Sequence, residues 1–310
     1  MASITAPARR RRRNAPMTQR EKANLRKGLL FILPWIVGVA AFNVFPLIYS
    51  VIVSLTRYSG LNSPVWLGLQ NYTRLFTDPI AGKSTYNTFF YLIFAVPIGL
   101  VIALALALAM NRKVREVSIY RAALYLPSLV PAFAFSFIFI VLMNPGYGMV
   151  DTVLGWFGVP SQNWLGDPTG AKAVIIALAQ FGAGATALIF LAGLHNIPET
   201  LYDAAKVDGA NTVRRFFSIT LPLLSPVMLF NAINAVNAGL AVFTPAYIIT
   251  NGGPDNGTLF YLFYLYKNAF SYAQLGYASA MAVVLFIVGV FLAWVIWMLS
   301  RRFVHYSVEA

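Results

Sequence analysis

The sequence predicts an all-α, polytopic membrane protein of six transmembrane helices, and three observations carry that prediction. Of 310 residues, 59% are hydrophobic and only 11% charged, whereas a soluble domain carries about 25% charged residues. Six windows contain no Asp, Glu, Lys or Arg: 28–56, 84–111, 122–150, 173–198, 216–254 and 268–300. Each exceeds the roughly 20 residues that cross a hydrocarbon core of about 30 Å as a helix. The basic residues are also lopsided. One side of the predicted bundle holds Arg9 to Arg13, Arg20, Lys22, Arg26, Lys27, Arg112, Lys113, Arg115, Arg121, Lys206, Arg214, Arg215, Arg301 and Arg302; the other keeps only Arg57, Arg74, Lys83, Lys172 and Lys267. Short loops retained in the cytoplasm carry the positive excess, so both termini are predicted to be cytoplasmic.

Residues 1–17 are polar, basic and Pro-containing, and are predicted to be disordered. The run Arg9 to Arg13 lies just ahead of a span, which favours a topogenic, lipid-attracted tail over a nucleic-acid partner. Thr18 and Glu21 have capping-box spacing and predict a helical lead-in over 18–27. The membrane domain is then placed at 18–303, with spans at about 29–54, 87–110, 122–143, 173–194, 223–249 and 277–299, and a tail at 304–310. Pro34 and Pro46 predict kinks in the first span. Its apolar stretch from Leu29 to Leu55 is far longer than that of a cleaved signal peptide. In the second span, Ala103, Ala105, Ala107 and Ala109 predict close helix packing. The outer segments 57–83, 151–172 and 255–267 are short, with turn formers such as Asn251-Gly252-Gly253-Pro254, and are too short for a separate receptor domain.

Several chemistries are excluded. The phosphate-loop lookalike Gly82-Lys83-Ser84 lacks the Gly required five positions earlier, where Thr77 stands; ATP binding by this chain is rejected, and no bound cofactor or enzymatic activity is expected. All ten Asp and Glu lie outside the uncharged windows, which weighs against proton coupling through an intramembrane carboxylate. Sodium coupling through backbone carbonyls stays open. With no cysteine, disulfides and thiolate metal sites are excluded, and His195 and His305 stand alone at span ends without the partners a metal site needs.

The fourth loop, 195–222, is the informative segment. Pro198 is suited to begin a helix, Gly209 to end it, and Asn211 or Thr212 to cap a second one. Leu201, Ala204 and Ala205 at i, i+3 and i+4 give the first helix an apolar, low-relief face. That face suits a docked protein, or equally a membrane surface. The spacing Asp203-Ala204-Ala205, three residues, Gly209, nine residues, Ile219, one residue, Leu221-Pro222 resembles the signature loop of permease subunits in binding-protein-dependent ABC importers. Further matches point to the carbohydrate branch, the maltose and glycerol-3-phosphate type: Gly68-Leu69-Gln70-Asn71-Tyr72, Tyr120-Arg121-Ala122-Ala123-Leu124-Tyr125-Leu126-Pro127, Pro145-Gly146-Tyr147-Gly148, Leu191-Ala192-Gly193-Leu194 before Ile197-Pro198, and Thr250-Asn251-Gly252-Gly253-Pro254.

The resemblance covers about residues 28–300 and implies a type I importer permease in a bacterial or archaeal cytoplasmic (inner) membrane. It implies a division of labour. Leu201, Tyr202, Asp203, Ala204, Ala205, Gly209, Ile219, Leu221 and Pro222 would couple the chain to two separate ATPase subunits, which bind ATP and Mg. A second homologous permease subunit would complete a heterodimer, and an extracytoplasmic solute-binding protein would deliver the sugar. Two departures stand out. Asp203 replaces the usual Glu, and the large extracytoplasmic loop of the maltose-specific subunit has no counterpart.

For the substrate pathway, Asn231, Asn234 and Asn237 at i, i+3 and i+6 share one face of the fifth span within about 120°, facing either a cavity or another helix. Gln180 and Thr186 in the fourth span, and Asn43 and Tyr49 in the first, are further candidates. Ala241 and Thr244 stand where the family often carries polar residues. A phosphate ester would favour Arg or Lys in the pathway, and none lies within a span. The expectation is therefore a neutral saccharide rather than glycerol-3-phosphate or a polyol derivative. A self-sufficient secondary carrier and a non-transporting scaffold are the rival readings, and neither explains the fourth loop.

Overall fold

The computed structural model describes residues 19–112 and 116–302. The tail 1–17, Thr18 of the capping box, Lys113, Arg115, His305 and the tail 304–310 lie outside the described residues. The chain divides into two units, Met1–Ile52 and Val53–Ala310.

In the first unit, α1 (Gln19–Val39) passes through a π-helical turn, Ala40–Val44, into α2 (Phe45–Ser54). Together they are long and apolar enough to span a membrane, Lys22–Ser54. The wide turn has a local cause. Pro46 has no N–H to give the carbonyl of Phe42, and the chain shifts register, with the Phe45 N–H bonding to Ala40 O.

The second unit opens with a small antiparallel hairpin, β1 (Thr56–Arg57) against β2 (Val65–Trp66), in the register Thr56 opposite Trp66. Helix α3 (Gln70–Thr77) follows, then α4 (Pro79–Met110). The carboxylate of Asp78 starts α4 by accepting from the N–H groups of Ile80 (2.9 Å) and Ala81 (3.3 Å), with Pro79 at the first helical position. At 32 residues, α4 is about 48 Å long. Next come α5 (Val117–Tyr125), a 3₁₀ turn Leu126–Leu129, α6 (Ala132–Leu142) and α7 (Met149–Trp156). Helices α8 (Pro168–Ala179) and α9 (Ala183–His195) are joined by the 3₁₀ turn Gln180–Gly182. The fourth loop forms α10 (Glu199–Val207). The fifth span is assembled from α11 (Thr212–Arg215), a π turn Phe216–Thr220, α12 (Leu221–Leu223) and α13 (Ser225–Leu240). After α14 (Tyr261–Tyr266), α15 (Leu275–Ser300) closes the described chain.

Among the described residues, four helical stretches are long and apolar enough to cross a membrane: Lys22–Ser54, Pro79–Met110, Pro168–His195 and Leu275–Ser300. Two bent pairs add up to six. Ser118–Leu129 and Ala132–Leu142 meet at 89°, and Thr212–Leu223 and Ser225–Leu240 at 66°. The third and fifth predicted spans are therefore broken rather than continuous, and the fifth leaves its α-helix at Leu240 instead of running to 249. Pro131 stands at the first bend, Pro222 and Pro226 flank the second at Leu224, and Pro245 follows the end of α13; at each a missing N–H and the restricted residue before it disfavour a continuous helix.

The two largest apolar clusters among the described residues lie in the second unit. In one, Ala103, Ala107 and Met110 of α4 are fully buried with Ala183, Ala187, Phe190 and Leu191 of α9 and with Leu224. Of the four alanines expected to pack, Ala103 and Ala107 face in, while Ala105 and Ala109 are exposed. The other cluster gathers Tyr91, Phe260, Phe263, Tyr264, Tyr277 and Met281, with Phe260 edge-on to Tyr91 at 5.5 Å. The segment 255–267, expected as a short loop, thus contributes a buried aromatic helix, because the run from Leu259 to Tyr266 is wholly apolar or aromatic.

Two carboxylates outside the spans hold this end together. Asp78 accepts hydrogen bonds from the hydroxyls of Tyr264 (2.6 Å) and Tyr277 (2.8 Å). Burial pushes the Asp78 carboxyl up, and the hydrogen bonds from Tyr264, Tyr277, Ile80 and Ala81 outweigh it, leaving it below the ordinary value of 3.8. The phenol of Tyr264 is pushed up to about 12, by burial first and then by its bond to Asp78. Asp151 accepts from the Ser161 hydroxyl, the Gly146 N–H (3.1 Å) and the Trp164 indole N–H (3.1 Å), and these bonds, Ser161 first, hold its carboxyl below 3.8 as well.

Candidate translocation cavity and coupling loop

The interruptions of the third, fourth and fifth spans meet. Pro127 to Pro131, Phe181 with Gly182, and Ala241 to Pro245 line one cavity of about 540 Å³, together with Tyr91, Phe135 and Leu178. Backbone outside a regular helix carries N–H and C=O groups that hydrocarbon cannot satisfy. Inside a bilayer such backbone is stable only where protein or a wet cavity serves it, and helices interrupted at mid-membrane are the usual architecture of a transport site. The cavity combines aromatic surface from Tyr91, Phe135 and Phe243 with the hydroxyls of Ser128 and Thr244, the mixture that binds a polar organic solute.

The predicted pathway residues are not brought together. Asn231 is 3% exposed and its amide nitrogen has no hydrogen-bond partner. Asn234 is exposed and bonds back to Phe230 O at 2.8 Å. Asn237 lines a separate, mainly apolar cavity of about 460 Å³ beside Leu262, Phe286 and Gly289. Gln180 sits in the break of the fourth span, its amide N–H donating to Ile176 O at 2.8 Å. Its carbonyl oxygen is buried without a partner and faces Gly99, where an added Cβ would lie 3.1 Å away. Thr186 is half-buried in α9. Tyr49 belongs to the first unit, half exposed and stacked on Phe45 at 6.2 Å, and Asn43 is exposed in the π turn there. The sequence reading missed Tyr91, Ser128, Phe135 and Phe243. The available signal was the set of prolines at 127, 131 and 245, which mark where these spans open.

At the other end of α4 lies the fourth loop. Pro198 holds the cap position, extended at ψ 130, one residue before α10 begins. The exit is left-handed: Gly209 has φ +75, and the Ala210 N–H bonds to Ala205 O at 2.8 Å. An added Cβ at Gly209 would meet nothing within 4 Å, so only the backbone requires glycine. Asn211 caps α11 by accepting from the Arg214 N–H at 2.8 Å.

The motif residues sort into two groups. The Tyr202 hydroxyl pairs with that of Thr220 at 2.9 Å, and Tyr202, Ile219 and Leu223 pack on the cluster around Leu224; Leu221 and Pro222 are half-buried beside them. These residues hold α10 to the head of the fifth span. Leu201, Asp203 and Ala204 are exposed, as are Val207, Val213 and Phe217, and Ala205 is half-buried. The Lys206 ammonium lies 2.8 Å from the Asp203 carboxylate, both well exposed. Behind α10, Asn111, Arg112, Arg121, His195, Glu199 and Arg215 line a polar cavity of about 550 Å³, where the Arg121 Nε–H donates to Met110 O at 3.2 Å.

Residues 95–305 match the family described as binding-protein-dependent transport system inner membrane component. A probable ABC transporter permease protein, YesP, of Bacillus subtilis (strain 168) is 39% identical over 284 residues, covering 90% of this chain and 92% of that protein. The sulfoquinovosyl glycerol transport system permease protein SmoG of Agrobacterium fabrum is 36% identical over 262 residues, covering 83% and 85%. Among solved structures, a bacterial ABC transporter involved in import of the acidic polysaccharide alginate superposes with a TM-score of 0.78 at 22% identity, over 91% of this chain and 98% of that one, a likeness of fold. The chain is therefore a multi-pass membrane protein and a member of the family of inner membrane components of binding-protein-dependent transport systems.

Proposed function

We propose that the chain is one permease half of an ATP-driven sugar importer, with the solute passing through the cavity at the broken spans and the driving force entering through α10. The observation that carries this reading is the path between them. Tyr202 joins α10 to Thr220, Thr220 lies in the first arm of the bent fifth span, and that span runs on to Ala241–Pro245 on the cavity wall. A displacement of α10 therefore has a continuous mechanical route to the cavity.

The exposed face of Leu201, Ala204 and Val207 is the docking face for a separate ATPase subunit, two of which bind ATP and Mg and supply the hydrolysis. A second, similar permease subunit completes the pathway, and an extracytoplasmic receptor delivers the solute. Both termini and α10 lie on the cytoplasmic side, following the basic excess. Relatives named for lactose and for trehalose/maltose transport, each 32% identical, support a saccharide. No Lys or Arg lines the 540 Å³ cavity, which favours a neutral saccharide over a phosphate ester.

Copurification tests the assembly. The tagged chain should bring down an ATPase with a second permease, and the cognate receptor should bind a labelled saccharide. A chain that purifies alone and still transports would favour the secondary-carrier reading instead.

A further inference from the structure

A cavity of about 790 Å³ lies at the opposite end of α4 from α10. The β1–β2 hairpin, α3 and the start of α15 form it, and Arg57, Arg74, Gln70, Thr73, Thr77 and Gln274 are among its lining residues. Arg57 and Arg74 are both exposed. Among the described residues neither has an ion-pair partner: Arg74 lies with its guanidinium 4.1 Å above the Tyr277 ring, and Asp78 is committed to the hydroxyls of Tyr264 and Tyr277.

The walls are fixed in place. Asn71 donates to both Ser54 O and Thr56 O at 2.8 Å. The Gly276 N–H bonds to Tyr58 O at 3.0 Å, and a Cβ on Gly276 would lie 2.0 Å from Thr56 O. Cations are sparse at the non-cytoplasmic end of a membrane protein, yet two of the five basic residues on that side open into this one cleft. Two guanidinium groups in one cleft without a carboxylate partner are complementary to an incoming carboxylate.

We infer that this cleft is a socket for an acidic loop of the extracytoplasmic receptor, its carboxylate held by Arg57 and Arg74. The inference rests on the importer reading above and specifies where the receptor engages this half. An acidic loop, rather than the solute itself, fits because the cleft is remote from the broken spans and lined by cations at its exposed rim.

The test uses the complete importer in nanodiscs, titrated with its receptor while ATP hydrolysis is measured. Arg57→Gln should raise the receptor concentration for half-maximal stimulation about five- to tenfold, Arg57→Glu more, with the same maximum at saturating receptor and a weaker dependence on salt. Lys83→Gln removes an exposed cation that does not line the cleft and should shift nothing. An unshifted Arg57→Glu, or an equal shift in Lys83→Gln, overturns the socket while leaving the importer reading intact. A wild-type complex that hydrolyses ATP without any response to the receptor overturns both.

Discussion

Gly209 takes φ +75 with open space around it, so a side chain there is opposed by the backbone alone. A β-branched residue adopts that conformation at a cost of about 1–3 kcal/mol. Gly209→Val should therefore reach the membrane in normal amount but lose ATPase association and ATP-dependent uptake. Normal uptake with the ATPases bound would remove the loop from the coupling path. Asp203→Ala should act more mildly, because it leaves the backbone intact and its i, i+3 ion pair with Lys206 is exposed, worth roughly 0.3–0.5 kcal/mol. In the cavity, Thr244→Val keeps the shape and deletes a hydroxyl. It should raise the substrate concentration for half-maximal uptake about threefold to tenfold, whereas Asn237→Leu, outside that cavity, should leave it near the wild-type value. Measuring uptake against substrate concentration separates the two, and the reverse result would restore the asparagine row as the pathway. Gly209 was legible in the sequence because a glycine directly follows a short amphipathic run. The asparagines were not, since spacing fixes their mutual angle but not which side of the helix meets the core.

At the scale of elements, α4 and α9 meet through alanines, and their packing sets a stability prediction. Ala103→Leu or Ala107→Leu forces volume into a filled interface at a cost of about 1–3 kcal/mol, which a lowered unfolding temperature in detergent would show; Ala105→Leu, on the exposed side, should not lower it. A second prediction concerns Asp78, which ties the start of α4 to α14 and α15. Its folded-state value lies below 3.8, so its contribution is fully present above pH 3.8 and is lost as pH falls through the folded value. Thermal scans from neutral pH to pH 3 should show that loss in the wild type and a flatter curve in Asp78→Asn. Equal slopes would mean that Asp78 bears no folding linkage. The charge map gave the number of crossings but not their shape, because a break inside an uncharged run leaves the map unchanged. Only the prolines hinted at the 89° and 66° bends. Helix α14 escaped notice since its aromatic run is far shorter than a span, and apolar length alone does not distinguish a turn from a buried plug.

For the whole molecule, two units of this chain carry the crossings, and the proposed orientation follows the asymmetry of Lys and Arg. A reporter fused after Ala310, or inserted between Asn111 and Arg121, should be protected from extracellular labelling; labelling from outside would invert the topology and move α10 away from any cytoplasmic ATPase. On the proposed reading, the fourth loop takes the driving force, the fifth span conveys it, and the cavity of broken helices passes the solute. The family's loop signature was readable because it is local in sequence, whereas the cavity joins residues from 91 to 245 and exists only in the fold. The most direct test is uptake of a labelled neutral saccharide into proteoliposomes holding the full complex, with receptor outside and ATP supplied to the ATPase side. Uptake should require receptor and ATP together, continue in the presence of protonophore and without sodium, and vanish in Gly209→Val. Uptake driven by a proton or sodium gradient without ATP would contradict the account.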